Sequence, residues 1–376
     1  MFFYWFLRDG GIEKVFTGIA NNFSSDPKNK ISFALMAATG HFLSFIRPAV
    51  KVIDLGLKPF GIIDHIKCIL KLTKTIRQER PDFIITGQPA ANISVVLAKL
   101  FSGTGKKTKV IISEHSPILM WLTNRKNNFL LKLILRLAII ILYRFADRVI
   151  VVSDFLISDL SKTALMPKRR IRRIYNPVIT PELIEKAGQN ANHPWLLEKS
   201  GPVIIAVGRL SKQKNFPLLL KGFALARTEH PALRLIILGD GPERQELEKL
   251  ASALSIADAI SMPGFDKNPY AFLRHADIFI LSSNFEGLPT ALIEALACGT
   301  PVISTNCPSG PSEILEGGRY GLLIPVEDAE SMKSAILNIL ANHKAAEERT
   351  KDFHQHKMHE FSTDNVIKEY EKLLQP

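Results

Sequence analysis

Short apolar runs alternate along this chain with longer stretches in which apolar residues recur every three or four positions, the βαβ rhythm of a parallel sheet. The spacing predicts strands at Phe2–Leu7, Ile31–Leu35, Phe83–Thr86, Val110–Ser113, Val149–Val152 and Ile171–Ile174. Helices are expected between them near Glu13–Phe23, Asp64–Gln78, Ala90–Phe101, Asn127–Phe145 and Phe155–Lys162. The rhythm then repeats, with strands at Val203–Val207, Leu233–Leu238, Ile260–Met262, Ile278–Leu281, Val302–Ser304 and Gly321–Ile324, and a closing helix at Asp364–Leu374. Between the two series the polar stretch Pro177–Gly201, with AGQNANHP inside it, breaks both periodicities. The chain therefore divides into a first domain at 1–178, a linker at 179–200, a second domain at 201–360 and a terminal segment at 361–376.

At 376 residues and 46% hydrophobic, the chain can bury two cores of roughly 150 to 200 residues each. Its three cysteines, Cys68, Cys298 and Cys307, lack metal-ligand spacing, which points to a reducing compartment and packing roles. His354, His356 and His359 lie in a Lys- and Glu-rich stretch and read as a solvated face, so no metal is expected. The opening MFFYWFLRDGG is too short an apolar run for a signal peptide, and no run of about 18 apolar residues predicts a bilayer span.

Charge is uneven. Residues 1–190 hold 29 Lys and Arg against 13 Asp and Glu, an excess of 16, whereas the remainder holds 19 against 23. A basic first half implies an anionic partner. Nucleic acid fits poorly, because the cations are not interleaved with exposed aromatics as in the nucleic-acid modules. An anionic membrane surface fits better. NNFLLKLILRLAIIILYRFADR, Asn127–Arg148, combines a wide apolar face with Lys132, Arg136 and Arg144, as an interfacial helix with snorkelling cations would. It reads equally well as a buried crossover helix of the sheet.

The chemistry concentrates in EGLPTALIEALACGTPVIS, Glu286–Ser304, which follows a buried strand and opens a helix. Thr290 is expected as the N-cap, leaving Glu286 in the strand-to-helix loop and Glu294 on the second helical turn. In a parallel sheet that place is a ligand crevice, where helix N-termini attract anions. A carboxylate there is a poor phosphate ligand but accepts hydrogen bonds from sugar hydroxyls. The expected ligand has phosphate in its middle and polyol on both sides, as a nucleotide sugar does. Acids also favour first helix turns for electrostatic reasons alone. The capping-box position after Thr290, however, holds Ile293.

The E-x7-E spacing followed by A-x-G-T-P-V-I resembles the group 1 (family 4) retaining glycosyltransferases of GT-B fold. VGRLSKQKNFPLLLKGF from Val207, LRLIILGDGPE from Leu233, ADIFILSSNFEGLP from Ala276 and GPSEILEGGRYGLLIP from Gly310 keep that family's order and spacing. RDGGIEKVFTGIANNF, RPDFIITGQPAAN, KVIISEH, ADRVIVVS and IYNPV match more loosely. The resemblance implies an α/β chain of two Rossmann-like parallel-sheet domains facing each other across a cleft. The first would bind the acceptor, the second the nucleotide sugar, and the last helix would fold back over the first domain. It further implies a metal-independent, retaining hexosyltransferase with no cofactor. One sugar would pass from a nucleotide diphosphate sugar, taken as UDP-linked on general grounds, to a lipid-linked or glycan acceptor of cell-envelope polysaccharide (O-antigen, capsule or exopolysaccharide). The expected place is the cytoplasm, peripherally on the inner membrane.

By the same resemblance, Arg209 and Lys214 hold the diphosphate, Glu294 the ribose hydroxyls and Glu286 the hydroxyls of the transferred sugar. The amides of Gly287, Leu288 and Thr290 frame the phosphate and sugar, since Pro289 has none to offer. Gly10 and Gly11 would add a second helix N-terminus with bare amides. By position, the base is placed beside Phe265. His115, in SEH at a strand end, matches the family's active-site histidine, with a sugar-orienting and charge-stabilising role. The competing classes are a GT-B enzyme of other chemistry, such as a nucleotide-sugar epimerase or a phosphorylase, and a non-catalytic sugar-nucleotide or membrane-binding scaffold.

Overall fold

The computed structural model describes residues 1–8, 10–58, 61–123, 129–198 and 200–375. The chain forms two compact units, one of residues 1–177 joined by the stretch from Val366 onward, the other of residues 178–365.

The first unit runs β1 (Phe2–Tyr4), α1 (Gly11–Phe23), β2 (Ser32–Leu35), β3 (Lys51–Asp54), α2 (Ile62–Glu79), β4 (Phe83–Gly87), α3 (Pro89–Ser102), β5 (Lys109–Glu114), α4 (Ile118–Thr123), α5 (Phe129–Leu142), β6 (Arg148–Val151), α6 (Asp154–Thr163) and β7 (Ile171–Arg173). Its sheet has the order β3-β2-β1-β4-β5-β6-β7, with parallel pairings throughout the described residues. The central strands are apolar on both faces: Phe3, Phe33, Ile84, Ile111 and Ile150 are all buried, as helix layers above and below a parallel sheet demand. β3, which the hydrophobic pattern does not predict, is an edge strand whose KVID is mostly exposed, so it lacks the apolar run that marks the others.

The second unit runs α7 (Pro181–Ala187), α8 (Pro194–Leu197), β8 (Val203–Val207), α9 (Phe216–Glu229), β9 (Arg234–Leu238), α10 (Arg244–Ala253), β10 (Ile260–Gly264), α11 (Pro269–His275), β11 (Ile278–Leu281), α12 (Thr290–Ala297), β12 (Val302–Thr305), α13 (Pro311–Ile314), β13 (Leu322–Ile324), α14 (Ala329–Ala341) and α15 (His343–His356). Its sheet has the order β10-β9-β8-β11-β12-β13. One core joins β8 and β9 to α9 and α14 through Ile204, Leu235, Ile237, Phe223 and Ile336. Gly222 lets α9 and α14 approach, since a Cβ there would lie 2.3 Å from Met332. A final helix, α16 (Thr363–Leu374), spans the point where the chain leaves the second unit for the first.

Residues 179–200, expected as an irregular linker, instead carry two short helices. Thr180 caps α7 through the amide of Leu183, Asn268 Nδ2 donates to the Lys186 carbonyl, and His193 Nε2 lies 3.0 Å from Ser261 Oγ. The last two contacts tie the segment into the second unit. Its polar composition reflects capping and turn chemistry, not a free link.

Candidate active site

In each sheet the strand order reverses at one place, between β1 and β4 in the first unit and between β8 and β11 in the second, and in open parallel sheets ligands bind at such a switch point, outside the carboxyl ends of the strands. In the second unit β8 and β11 are hydrogen-bonded neighbours, with Ile204 opposite Ile278. The loop after β8, carrying Arg209 and Lys214, therefore lies beside the loop after β11, carrying Glu286. Lys214 Nζ meets Glu286 Oε1 at 2.7 Å, with the carboxylate side chain only 7% exposed. Ser283 Oγ donates to the same oxygen at 2.6 Å and Gln213 Nε2 lies 3.4 Å from Oε2. Asn215 donates to the Asn284 side chain, Asn284 Nδ2 to the Lys212 carbonyl and Ser282 Oγ to the Lys214 carbonyl, so the two loops are laced together. Two residues expected to meet different parts of one ligand, the sugar and the diphosphate, thus hold each other. Gln213 and Ser283, which position the glutamate, were not singled out from the sequence; Ser283 stands three residues before Glu286 and was readable as a local partner.

Arg209 contrasts with Lys214. It is exposed, and among the described residues it has no ion pair. Glu294 is 5% exposed on α12, beyond the mouth of the loop. The expected N-cap is corrected: Pro289 occupies that position and Thr290 is the first helical residue, because the proline's fixed φ of −70° with ψ of 95° ends the extended loop there. Gly287 and Leu288 are buried in the approach to the helix. The loop after β12 closes against them, with Ser309 Oγ donating to the Gly287 carbonyl at 2.6 Å. Gly310, at φ 90°, leaves room that a Cβ would lose to Pro289 Cδ at 2.3 Å.

The glycines of GDG serve packing. A Cβ on Gly239, at φ 137°, would lie 2.0 Å from the Gly208 carbonyl oxygen, so the β8 and β9 loops touch backbone to backbone. The Gly239 amide donates to the Gly264 carbonyl, which brings the β10 loop alongside; there Phe265 stands 66% exposed. Burial pushes the thiols of Cys298 and Cys307 up to about 12, with the Glu286 charge adding to the effect at Cys307, which disfavours the thiolate at both. His354 is taken by the Leu296 carbonyl, and His356 pairs with Asp352.

In the first unit, His115 follows β5. Its Nε2 lies 2.8 Å from Ser113 Oγ, its ring meets Phe16 of α1 edge-on at 5.7 Å, and its Nδ1 is enclosed without a partner. Burial lowers its pKa to about 4, which makes the ring neutral near pH 7. Any charge it stabilises must be met by an imidazole dipole or N–H. Gly87, at the end of β4, packs against both rings. Gly10 caps α1, and Gly11 opens it with nothing within 4 Å of its Cβ position. Around Gly10 the expectation of a bare anion site needs amending: the buried Glu13 carboxylate lies 2.1 Å from where a Cβ would stand, so this helix end already has an anion beside it.

Behind His115 lies a buried polar cluster that the sequence did not disclose. Glu114 is 1% exposed and accepts hydrogen bonds from Tyr143 and, at 2.7 Å, from Asn92 Nδ2. Burial pushes its carboxyl up to about 8, against the opposing effect of those bonds.

The helix α5 settles one open alternative. Among its residues 129–142 only Ile139 is buried, while Phe129, Leu130, Leu133, Ile134, Leu137 and Ile141 stand 41% to 81% exposed. It is not a buried crossover helix. Asn127 and Asn128, with which the sequence expectation opened it, lie outside the described residues. Among the described residues no helix is long and apolar enough to cross a membrane.

Two parallel Rossmann-like sheets, each with its polar loops at the switch point, are the architecture of the GT-B glycosyltransferases. Two family profiles match in succession: "Glycosyltransferase Family 4" over residues 10–181 and "Glycosyl transferases group 1" over 189–355. The chain belongs to the group 1 glycosyltransferases. It is 29% identical over 354 residues, 91% of this chain and 90% of the relative, to the Campylobacter jejuni N-acetylgalactosamine-N,N'-diacetylbacillosaminyl-diphospho-undecaprenol 4-alpha-N-acetylgalactosaminyltransferase. It is 26% identical over 371 residues, 99% and 97% of the two chains, to the lipopolysaccharide core biosynthesis glycosyltransferase LpsE of Rhizobium meliloti. Among solved structures, Anabaena Alr3699/HepE in complex with UDP-glucose superimposes with a TM-score of 0.80 at 19% identity, covering 99% of this chain and 98% of that one.

Proposed function

We propose that this glycosyltransferase moves one sugar, with retention, from a UDP-linked donor to a lipid-linked or glycan acceptor of a cell-envelope polysaccharide. The observation that carries the proposal is the meeting of Lys214 and Glu286 at the β8–β11 switch point, with Lys214 on a loop that also carries the exposed Arg209. The arrangement offers cations to a diphosphate and a carboxylate to hydroxyls within one laced pair of loops. Relatives named for transfer to diphospho-undecaprenol and for lipopolysaccharide core synthesis support the acceptor class, and the HepE complex with UDP-glucose supports the donor.

In this reading Arg209, Lys214 and the start of α12 at Gly287, Leu288 and Thr290 stabilise the charge that grows on the departing diphosphate, without a metal. The bond from sugar C1 to the phosphate oxygen breaks as the acceptor oxygen bonds C1 on the same face, and the acceptor proton passes to the departing phosphate. Glu286 holds sugar hydroxyls, Glu294 the ribose and Phe265 the base side. His115, neutral, orients the sugar and donates or accepts a hydrogen bond; Gly11 leaves backbone room at α1, while the space at Gly10 is held by Glu13. The first unit presents the acceptor, and α5 with Lys132 and Arg136 rests on the anionic cytoplasmic leaflet of the inner membrane as a peripheral contact.

The test is a panel of nucleotide sugars against thermal unfolding. A ligand held by the folded state at 100 times its Kd adds about 2.7 kcal/mol and raises Tm. UDP and one UDP-sugar should raise it; no shift with any of them overturns the reading.

A further inference from the structure

α5 is not the lone apolar surface of the first unit. α2 carries Ile63, Ile66 and Leu70 at 66%, 53% and 65% exposure. At 100° per residue these three lie on one stripe with Lys67 and Lys74, both exposed. α2 packs on α3, and α3 packs on α5. The crossovers β3 to β4, β4 to β5 and β5 to β6 all run in one direction along the sheet, and with right-handed connections they lay these helices on one face. Between the outer two, α3 turns Ile93 and Leu97, half-buried, and Leu100, 44% exposed, outward on a single stripe. One side of the sheet is thus covered by a helix layer whose outer surface is apolar across its width. A continuous patch of this kind marks an interaction surface.

Charge decides what covers it. Neither α3 nor α5 contains an acidic residue, and α2 sets Lys67, Lys71, Lys74 and Arg77 against Asp64 and Glu79, of which Glu79 is taken by Lys51. A second copy of the chain would bring these cations against their own kind in a dehydrated interface, which is unfavourable. A leaflet of anionic lipid supplies phosphates for the cations and an acyl boundary for the apolar tips.

We propose that the outer surface of the whole α2–α3–α5 layer docks on an anionic bilayer, with α2 as a second anchor beside α5: Ile63, Ile66 and Leu70 enter the acyl boundary while Lys67 and Lys74 meet lipid phosphates. This rests on the membrane contact proposed above for α5 and adds its geometry. One interfacial helix lets the domain roll about the helix axis, whereas two helices flanking a third fix its orientation to the membrane plane.

The experiment uses the full chain and phosphatidylcholine vesicles with and without phosphatidylglycerol, read by co-sedimentation. Lys67→Glu with Lys74→Glu should weaken partitioning to the anionic vesicles by at least about tenfold. Ile66→Asn with Leu70→Asn should remove much of the salt-resistant fraction. Both should leave the Tm shift by UDP unchanged. Because Cys68, Cys298 and Cys307 are buried, a nitroxide on Leu70→Cys reports depth directly, should either pair impair folding. That label should become lipid-accessible only with anionic vesicles. If the wild type binds no vesicles, the α5 reading itself falls. If the α5 variant Lys132→Glu with Arg136→Glu loses binding while the α2 variants bind normally and the Leu70 label stays in water, the second anchor is refuted. A dimer in sedimentation velocity that the α2 variants dissociate would show the face to be a self-association surface instead.

Discussion

At the scale of single residues, the site is a set of polar groups that need one another. Lys214→Ala removes the cation nearest Glu286 and leaves a largely buried carboxylate without its partner. Turnover is expected to fall roughly 100-fold or more in kcat/KM, about 2.7 kcal/mol, if Lys214 meets a diphosphate whose charge grows in the transition state. Wild-type kinetics in a folded variant would sink that role. The glutamates separate by ligand. Glu294→Gln should weaken UDP in calorimetric titration, since ribose is common to donor and product, whereas Glu286→Gln should slow turnover and spare UDP affinity; equal losses in both would mean the roles are misassigned. Glu114 carries a pH signature. Its folded pKa, raised to about 8 by burial, means the folded chain holds the proton more tightly than the unfolded one. The resulting stability is present below the ordinary carboxylate range and is lost as pH rises through about 8. Glu114→Gln mimics the protonated form, so the wild-type Tm should fall relative to the variant as pH is raised over that window. A constant difference would show that the carboxyl titrates normally.

At the scale of elements, the helix layer of the first unit departs from the usual economy of an α/β domain. Burying a Leu, Ile or Phe side chain contributes about 1.5–3 kcal/mol, and α5 leaves six such side chains largely in the open. Reversing Lys132 and Arg136 to glutamate is expected to reduce co-sedimentation with anionic vesicles and activity on a lipid-linked acceptor while sparing UDP binding. Binding indifferent to lipid charge would contradict this. The hydrophobic pattern located α5 and its cations but left two readings open, because an apolar helix looks the same whether a sheet or a membrane covers it. β3 was invisible for the opposite reason: an exposed edge strand has no apolar run to betray it. The helices α7 and α8 were hidden in polar sequence because their ends are held by Thr180, His193 and Asn268, not by a hydrophobic stripe.

For the whole molecule, leaving-group stabilisation by cations and a helix start predicts that a chelator leaves turnover unchanged. An activity lost with chelator and restored by magnesium alone would overturn that account. Apart from the edge strand β3, the parallel architecture was legible, because buried strands must be apolar on both faces and the helices between them must keep one apolar stripe. β8 and β11 match their predicted spans, and the other predicted strands differ at their ends. The motif residues Arg209, Lys214, Glu286 and Glu294 were singled out through their resemblance to the glycosyltransferase motifs, and of these the structure brings Lys214 against Glu286. What the sequence determined by itself was therefore the order of elements and the inventory of chemistry. Tertiary structure decided which groups meet: Lys214 with Glu286 across 72 residues, Glu114 with Tyr143 and Asn92 behind His115, and α2 beside α3 beside α5. It also decided that His115 is neutral and that Glu13 stands at the helix start where a bare anion site was expected. Periodicity records how each segment faces its own surroundings. Pairing between distant segments, and the burial that shifts a proton, depend on strand order and packing, which no local pattern encodes.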